Sequence, residues 1–315
     1  MSSADAFQHV PVMRDRVVAL LAPALQRPGS VMVDATLGLA GHSEAILTAC
    51  PTARLVGIDR DRQALAAAQQ RLADFSTRIT LVHAVYDEIG TVLSELGLPR
   101  VNGVLFDLGV SSMQLDDPTR GFAYSYDAPL DMRMDATAER TAADVVNSYS
   151  VSELARVLRE YGEERYAQRI ARAIVARRPL ASSAELVEVI RSSVPAPAQR
   201  EGGHPAKRTF QALRIEVNDE LGALRRALPA AVDALALHGR LVVMSYQSLE
   251  DRVAKQTLAA HMRDDVPPDL PVPGRGPELV MLTRGAERAS DEEVAANPRS
   301  APVRVRSVER VREAA

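Results

Sequence analysis

Three aspartates carry the first chemical signal in this chain: Asp34, Asp59 and Asp107. Asp34 closes the apolar run Val31-Met32-Val33, and Asp59 closes Leu55-Val56-Gly57-Ile58. Asp107 lies in the run Val104 to Leu108, which breaks at Asp107-Leu108-Gly109. Short apolar runs of this kind read as buried strands, and open α/β sheets bind ligands just beyond the carboxyl ends of their strands. A glycine turn, Thr36-Leu37-Gly38-Leu39-Ala40-Gly41-His42-Ser43, follows the first acid and leads into a helical stretch to Ala49. Strand, glycine turn and helix together let backbone N–H groups approach a ligand closely. The turn matches G-x-G-x-x-G imperfectly, and the GxxxxGK[ST] loop of nucleoside triphosphate sites is absent. Asp59 follows the glycine turn by about 20 residues, where a dinucleotide-type fold places the carboxylate that holds ribose hydroxyls.

S-adenosylmethionine offers a ribose, an adenine and a sulfonium cation, but no phosphate. The three acids and the incomplete glycine fingerprint fit it better than a dinucleotide, whose pyrophosphate wants the full motif. Each acid also has a plain reading as a helix cap or turn residue. Cys50, the single cysteine, sits at the end of the helix after the glycine turn and reads as a small buried apolar residue. Methylation of a pyrimidine ring carbon usually requires a cysteine nucleophile. A pyrimidine substrate would therefore be attacked through an exocyclic nitrogen or a hydroxyl. Asp107 is the candidate to accept or polarise the amine proton, with pure cofactor contact as the alternative. His42, at a helix N-terminus, is expected to act as a neutral hydrogen-bonding group or a cap. His9, His83, His204, His238 and His261 show no ligand spacing, so no metal is expected.

The elements that must hold these residues follow from periodicity. Ile79 to His83 supplies a further strand, and strands alternating with helical segments imply a parallel, doubly wound sheet. From about Gln114 to Arg208 no convincing strand occurs. Ser150-x-x-Glu153 and Ser182-x-x-Glu185 are capping boxes that open helices, and a helix from Glu163 to Arg178 lies between them. That helix carries Arg165, Arg169 and Arg172 as one stripe. A single long helix is expected from Lys207 to about Leu228, with Lys207, Gln211, Arg214 and Asn218 as a polar stripe. Both stripes suit a phosphate backbone or merely solvent. Tyr124 and Tyr126 suit base stacking or a small satellite core. Strands return at Gly239 to Ser245, Glu278 to Thr283 and Val303 to Val308, with a polar excursion over 285–302. The 315 residues suffice for one domain plus an insertion. Net charge is −3 with pI near 6.1, so any polyanion site must be a local patch. Arg dominates over Lys, which appears only as Lys207 and Lys255. No signal-peptide segment or membrane-length apolar run is read, so the expected location is cytoplasmic.

Several long motifs together resemble one family. They are DATLGLAGHS at 34–43, DLGVSSMQLDDPTRGFAYSYDAPLDMRMD at 107–135, YGEERYAQRIARAIV at 161–175, HPAKRTFQALRIEVNDEL at 204–221 and SLEDR at 248–252. The chain resembles the bacterial 16S ribosomal RNA cytosine-N4 methyltransferases, the RsmH or MraW family, from His9 to about Arg310. The resemblance implies a Rossmann-like α/β sheet of the S-adenosylmethionine-dependent methyltransferase kind with an inserted all-helical domain. It divides the chain into 1–113 with 209–315, and an inserted substrate-recognition domain at 114–208. It implies methyl transfer to N4 of a cytidine in the decoding centre, with 16S rRNA in the small ribosomal subunit as partner, a homodimer as a further expectation, and no membrane. Donor-binding positions fall on Ala40, Gly41, His42, Asp59, Tyr86, Asp107 and Gln114. Substrate-facing candidates are Ser111, Ser112, Arg133, Lys207, Arg208, Gln211, Arg214 and Asn218. Two departures stand out. The family's G-x-G-G-H-S is G-L-A-G-H-S here, and Ala40 fits if its φ is negative. The family's S-F-H-S-L-E-D-R is Ser245-Tyr246-Gln247-Ser248-Leu249-Glu250-Asp251-Arg252, and Gln247 cannot take a proton at neutral pH. The rival expectations are the same chemistry on DNA or protein, and a donor-binding assembly factor without catalysis.

Overall fold

In the computed structural model, which describes residues 10–196, 204–263 and 276–313, the apolar runs pair into one seven-stranded sheet. The strands are β1 Val31–Asp34, β2 Arg54–Asp59, β3 Ile79–His83, β4 Val101–Asp107, β5 Leu235–Ser245, β6 Leu279–Met281 and β7 Arg304–Arg310. Their order is β3-β2-β1-β4-β5-β7-β6. β1 to β5 run parallel, while β7 is antiparallel to both β5 and β6. The order reverses between β1 and β4, which makes that junction the topological switch point.

The chain divides into two compact units. One contains the residues up to Gly109 and from Leu221 onward, and the other is Val110–Glu220. In the first, α1 Arg14–Leu25, α2 Gly41–Ala49, α3 Arg62–Arg71 and α4 Ile89–Glu95 alternate with the strands. The second holds α5 Ser112–Asp116, α6 Ala142–Ser148, α7 Val151–Gly162, α8 Ala167–Arg177, α9 Ser183–Ser193 and α10 Lys207–Asn218. α11 Glu220–Ala234, α12 Ser248–His261 and α13 Asp291–Ala296 follow.

Successive strand residues point to opposite faces, and the two cores of the sheet show it. Val33, Val56, Val104 and Phe106 pack with Leu224 and Leu228 of α11 and Val253 of α12. Their chain neighbours Met32, Leu55 and Leu105 pack with Val17 and Leu21 of α1 and Ile46 of α2. Strands buried on both faces must be apolar throughout, which is why β1 and β4 read as runs rather than alternations. Each fully buried Val, Leu or Phe contributes roughly 1.5–3 kcal/mol. The helical unit has its own core, including Leu154, Leu158, Ile170, Ile174, Leu186, Ile190, Phe210 and Leu213.

Three sequence expectations change. The long helix from Lys207 is two helices, α10 and α11, because Asp219 between them takes the left-handed conformation at φ 48°. Aspartate tolerates that conformation better than most residues. Glu163 is also left-handed, at φ 49°, so the arginine-bearing helix begins at Ala167. The polar excursion contains α13, capped by Ser290, whose hydroxyl accepts the Glu293 N–H. The loop expected over Val266 to Pro277 lies almost wholly outside the described residues. No helix among the described residues is long and apolar enough to cross a membrane.

Candidate active site

Sheet register fixes where the acids stand. Asp34 on β1 lies level with Gly57 of β2 and Leu105 of β4. Asp59 and Asp107 therefore each stand two residues further along, one on either side of Asp34. The three carboxylates flank the switch point at the carboxyl ends of adjacent strands.

Asp34 is buried, at 2% exposure. Its Oδ1 accepts the Thr36 N–H at 3.2 Å and its Oδ2 accepts the Ser43 hydroxyl at 2.6 Å. Burial pushes its carboxyl up to about 6, against the opposing pull of those two bonds and of nearby His42. Asp59 accepts the Gly38 N–H on Oδ2 at 2.7 Å and the Asp61 N–H on Oδ1 at 2.8 Å. The first of these bonds ties the glycine turn to the end of β2, and burial raises the Asp59 carboxyl above its ordinary range.

Asp107 is held from three sides. Its N–H donates to Thr36 Oγ1 at 2.6 Å, its Oδ1 accepts the Tyr246 hydroxyl at 2.8 Å, and its Oδ2 lies 3.4 Å from His42 Nδ1. His42 is itself buried, and its Nε2 lies 2.8 Å from the Val12 carbonyl oxygen. A carbonyl only accepts, so Nε2 carries the proton. The other ring nitrogen, Nδ1, faces the Asp107 carboxylate.

Ala40 is left-handed, at φ 58° and ψ 23°. The negative φ that would make alanine easy at this position is not adopted. A left-handed L-residue costs about 1–2 kcal/mol. Burial of the Ala40 methyl, fully enclosed beside Val12, Leu37 and Ile46, returns about 0.8 kcal/mol. Alanine's smaller loss of backbone freedom relative to glycine returns roughly 0.5–1 kcal/mol more. The terms nearly cancel, and the turn keeps its shape without a second glycine there. Gly41 has no such latitude, since a Cβ would lie 2.5 Å from the Pro11 ring. Tyr86 opens a short 3-10 turn after β3. Its ring meets Phe106 edge-on at 5.8 Å, and the Arg60 guanidinium lies 5.8 Å from its centroid.

Sequence alone does not single out Thr36, Ser43 and Tyr246, although they supply polar contacts of Asp34 and Asp107. Thr36 and Ser43 carry a local signal, as hydroxyl residues inside the glycine turn. Tyr246 carries none, because it meets Asp107 across 139 positions of chain.

In the helical unit, Ser111 and Gln114 form a capping box on α5. Ser111 N–H donates to Gln114 Oε1 at 3.1 Å, and Gln114 N–H to Ser111 Oγ at 3.3 Å. The S-x-x-Q spacing is the signal for it. Ser112 starts the same helix. Arg133 is forked on Asp131, at 2.8 and 2.7 Å, and also donates to the Ala138 carbonyl. Arg214 is forked on Glu220, at 2.7 and 2.9 Å. Gln211 donates to the Tyr161 carbonyl, and Arg208 to that of Glu163. Asn218 is buried and ties α10 to the Met132 carbonyl and the Met134 N–H. Lys207 is exposed. The stripe on α10 is therefore mostly engaged within its own unit. Arg165, which precedes α8, and Arg169 and Arg172 on it are exposed, and none has an ion-pair partner among the described residues; the Arg165 guanidinium lies 5.9 Å from the Tyr166 ring centroid. No acid occurs between Arg165 and Arg178. Tyr124 stacks on His204 at 4.5 Å and meets Phe210 edge-on, so it packs as part of the unit's core.

Comparison with known proteins adds a further finding. The profile of the MraW methylase family matches residues 6–311. The chain belongs to this family. It is 62% identical over 310 residues to the ribosomal RNA small subunit methyltransferase H of Thermobifida fusca (strain YX), covering 97% of this chain and 94% of that one. It is 64% identical over 307 residues to the protein of the same name from Nocardioides sp. (strain ATCC BAA-499 / JS614), covering 96% of each.

As an MraW methylase the chain carries its second departure, Tyr246-Gln247, at the start of α12. The Glu250 carboxylate accepts both the Tyr246 and Gln247 N–H groups, at 2.9 and 3.1 Å. Gln247 Oε1 is buried and makes no hydrogen bond among the described residues. The next acid, Asp251, is forked on the buried Arg306 and also meets Arg304. The Glu250 and Asp251 of SLEDR thus anchor the segment that presents Tyr246.

Proposed function

We propose that the protein transfers a methyl group from S-adenosylmethionine to N4 of a cytidine in the decoding centre of 16S rRNA in the small ribosomal subunit, acting in the cytoplasm. The observation that carries this reading is the trio of strand-end carboxylates around the switch point, in a chain of the MraW methylase family whose relatives are named as small-subunit rRNA methyltransferases. The donor supplies an electrophilic methyl on a sulfonium and, unlike a dinucleotide, brings cationic groups without phosphate. Carboxylates suit those groups, and the tight glycine turn lets the main chain come close.

Asp59 would hold the ribose hydroxyls, Tyr86 the adenine, and the main chain at Ala40 and Gly41 the methionine portion. Asp107 Oδ2 would hold an ammonium. Toward the substrate, the protein's work is orientation. An exocyclic amine has a poorly available lone pair and must be set in line with the methyl while its proton is accepted. Asp107 is the candidate acceptor. Cys50 is 1% exposed and burial pushes its thiol up, which leaves it unsuited to the nucleophilic activation that ring-carbon methylation needs. The exposed Arg165, Arg169 and Arg172 would track the RNA backbone.

Incubation of labelled S-adenosylmethionine with 30S particles, followed by nucleoside analysis, tests the reading. N4-methylcytidine is the expected product. Transfer to DNA or protein but not to the particles would overturn the substrate, and a calorimetric failure to bind the donor would overturn the enzyme.

A further inference from the structure

Asp107 has one oxygen turned toward His42 and the other committed to Tyr246. The group bonded to the second oxygen bears on where the first one points. The Tyr246 ring is partly buried against the sheet core, and a Cβ on Gly109 would lie 3.8 Å from its edge. Its backbone is fixed by Glu250, and the helix behind it is anchored through Asp251 to Arg306. Burial and the Asp107 carboxylate hold the phenol well above its ordinary range, so the hydroxyl keeps its proton and donates. Glu250 and Glu293 act on the phenol in the same direction, while His42 and Asp34 are the titratable groups that face Asp107.

We infer that Tyr246 is a positioning residue. Its hydroxyl locks the Asp107 carboxylate so that Oδ2 stays turned toward His42 Nδ1 as a fixed acceptor for the methyl donor. The inference rests on the proposed donor site and adds a residue to it. A bond from a neutral donor to a carboxylate contributes more than a neutral pair, and its loss corresponds to roughly a tenfold change in an equilibrium.

The test is Tyr246→Phe, which removes one oxygen and keeps the ring. The KM for S-adenosylmethionine is expected to rise about tenfold, while the KM for 30S particles stays unchanged. A general packing defect would move both. Calorimetric donor affinities of the wild type, Tyr246→Phe, Asp107→Asn and the double variant then close a cycle. Tyr246→Phe should weaken binding about tenfold in the wild-type background and by less than about twofold in the Asp107→Asn background, where no carboxylate remains to be positioned. An unchanged donor KM in Tyr246→Phe overturns the inference, as does an equal loss in both backgrounds. Should Asp107→Asn bind no donor, the two KM values of Tyr246→Phe decide alone. Should the wild type bind the donor without methylating 30S particles, the substrate reading fails and the cycle is still read in donor binding.

Discussion

A buried carboxylate is the most exposed point of this design to pH. Asp34 titrates near 6 in the fold, above the ordinary value of 3.8, because burial disfavours its charge. A raised acid pKa stabilises the fold only where the group is protonated. That stability is complete below the unfolded value and is lost as pH rises through about 6. The shift corresponds to about 3 kcal/mol at most. Asp34→Asn keeps an acceptor for the Thr36 N–H and cannot ionise. It should match the wild type in stability near pH 4 and gain on it as pH rises, levelling off above about 7. Urea unfolding of both proteins across that range checks it, and a constant gap would contradict the assignment. The price of keeping Asp34 charged at neutral pH is consistent with a group retained for a cationic ligand.

At the scale of elements, α12 and β7 are joined by charge as well as by packing. Asp251 in the first turn of α12 meets Arg306 at 2.8 Å, and Arg306 is 8% exposed. Removing one member of a buried pair strands the other and typically costs about 3–5 kcal/mol, so Asp251→Ala should lower stability by that much. The midpoint of denaturant unfolding measures it, and a loss below about 1 kcal/mol would mean that water reaches Arg306. The strands and their end acids were legible because a doubly buried parallel strand must be apolar and its first polar residue marks its end. The break at Asp219 was hidden because the hydrophobic period continues across it, and only the backbone angle reveals the turn. The engagement of Arg214 was hidden for the same reason. Its partner Glu220 lies six residues on, beyond helical reach, and becomes a neighbour only through that break.

For the molecule as a whole, a net charge of −3 makes a local basic face conspicuous. Neutralising phosphates releases counterions, and each contact to single-stranded RNA contributes about 0.7 to the slope of log affinity against log salt. Replacing Arg165, Arg169 and Arg172 together by alanine should flatten that slope by about 2 for RNA binding, with donor affinity unchanged. Titrations between about 50 and 200 mM salt read it out, and an unaltered slope would return the stripe to the role of a solvated face. Residue identity alone did not separate this stripe from the one on α10. The difference lies in partners supplied by other elements, which leave Arg169 open and bind Gln211 and Asn218.

The antiparallel β7 lies between β5 and β6, so the sheet cannot be completed until Arg304–Arg310 has left the ribosome. Until then β5 has an unpaired edge, the kind of edge that invites association between chains. The helical unit draws its core only from its own residues and is fully synthesised about 90 residues earlier, by Glu220. On a translating ribosome the later segment in the chain order would therefore be the gatekeeper: nascent chains halted before Val303 would carry a finished helical unit beside a sheet that chaperones must shield.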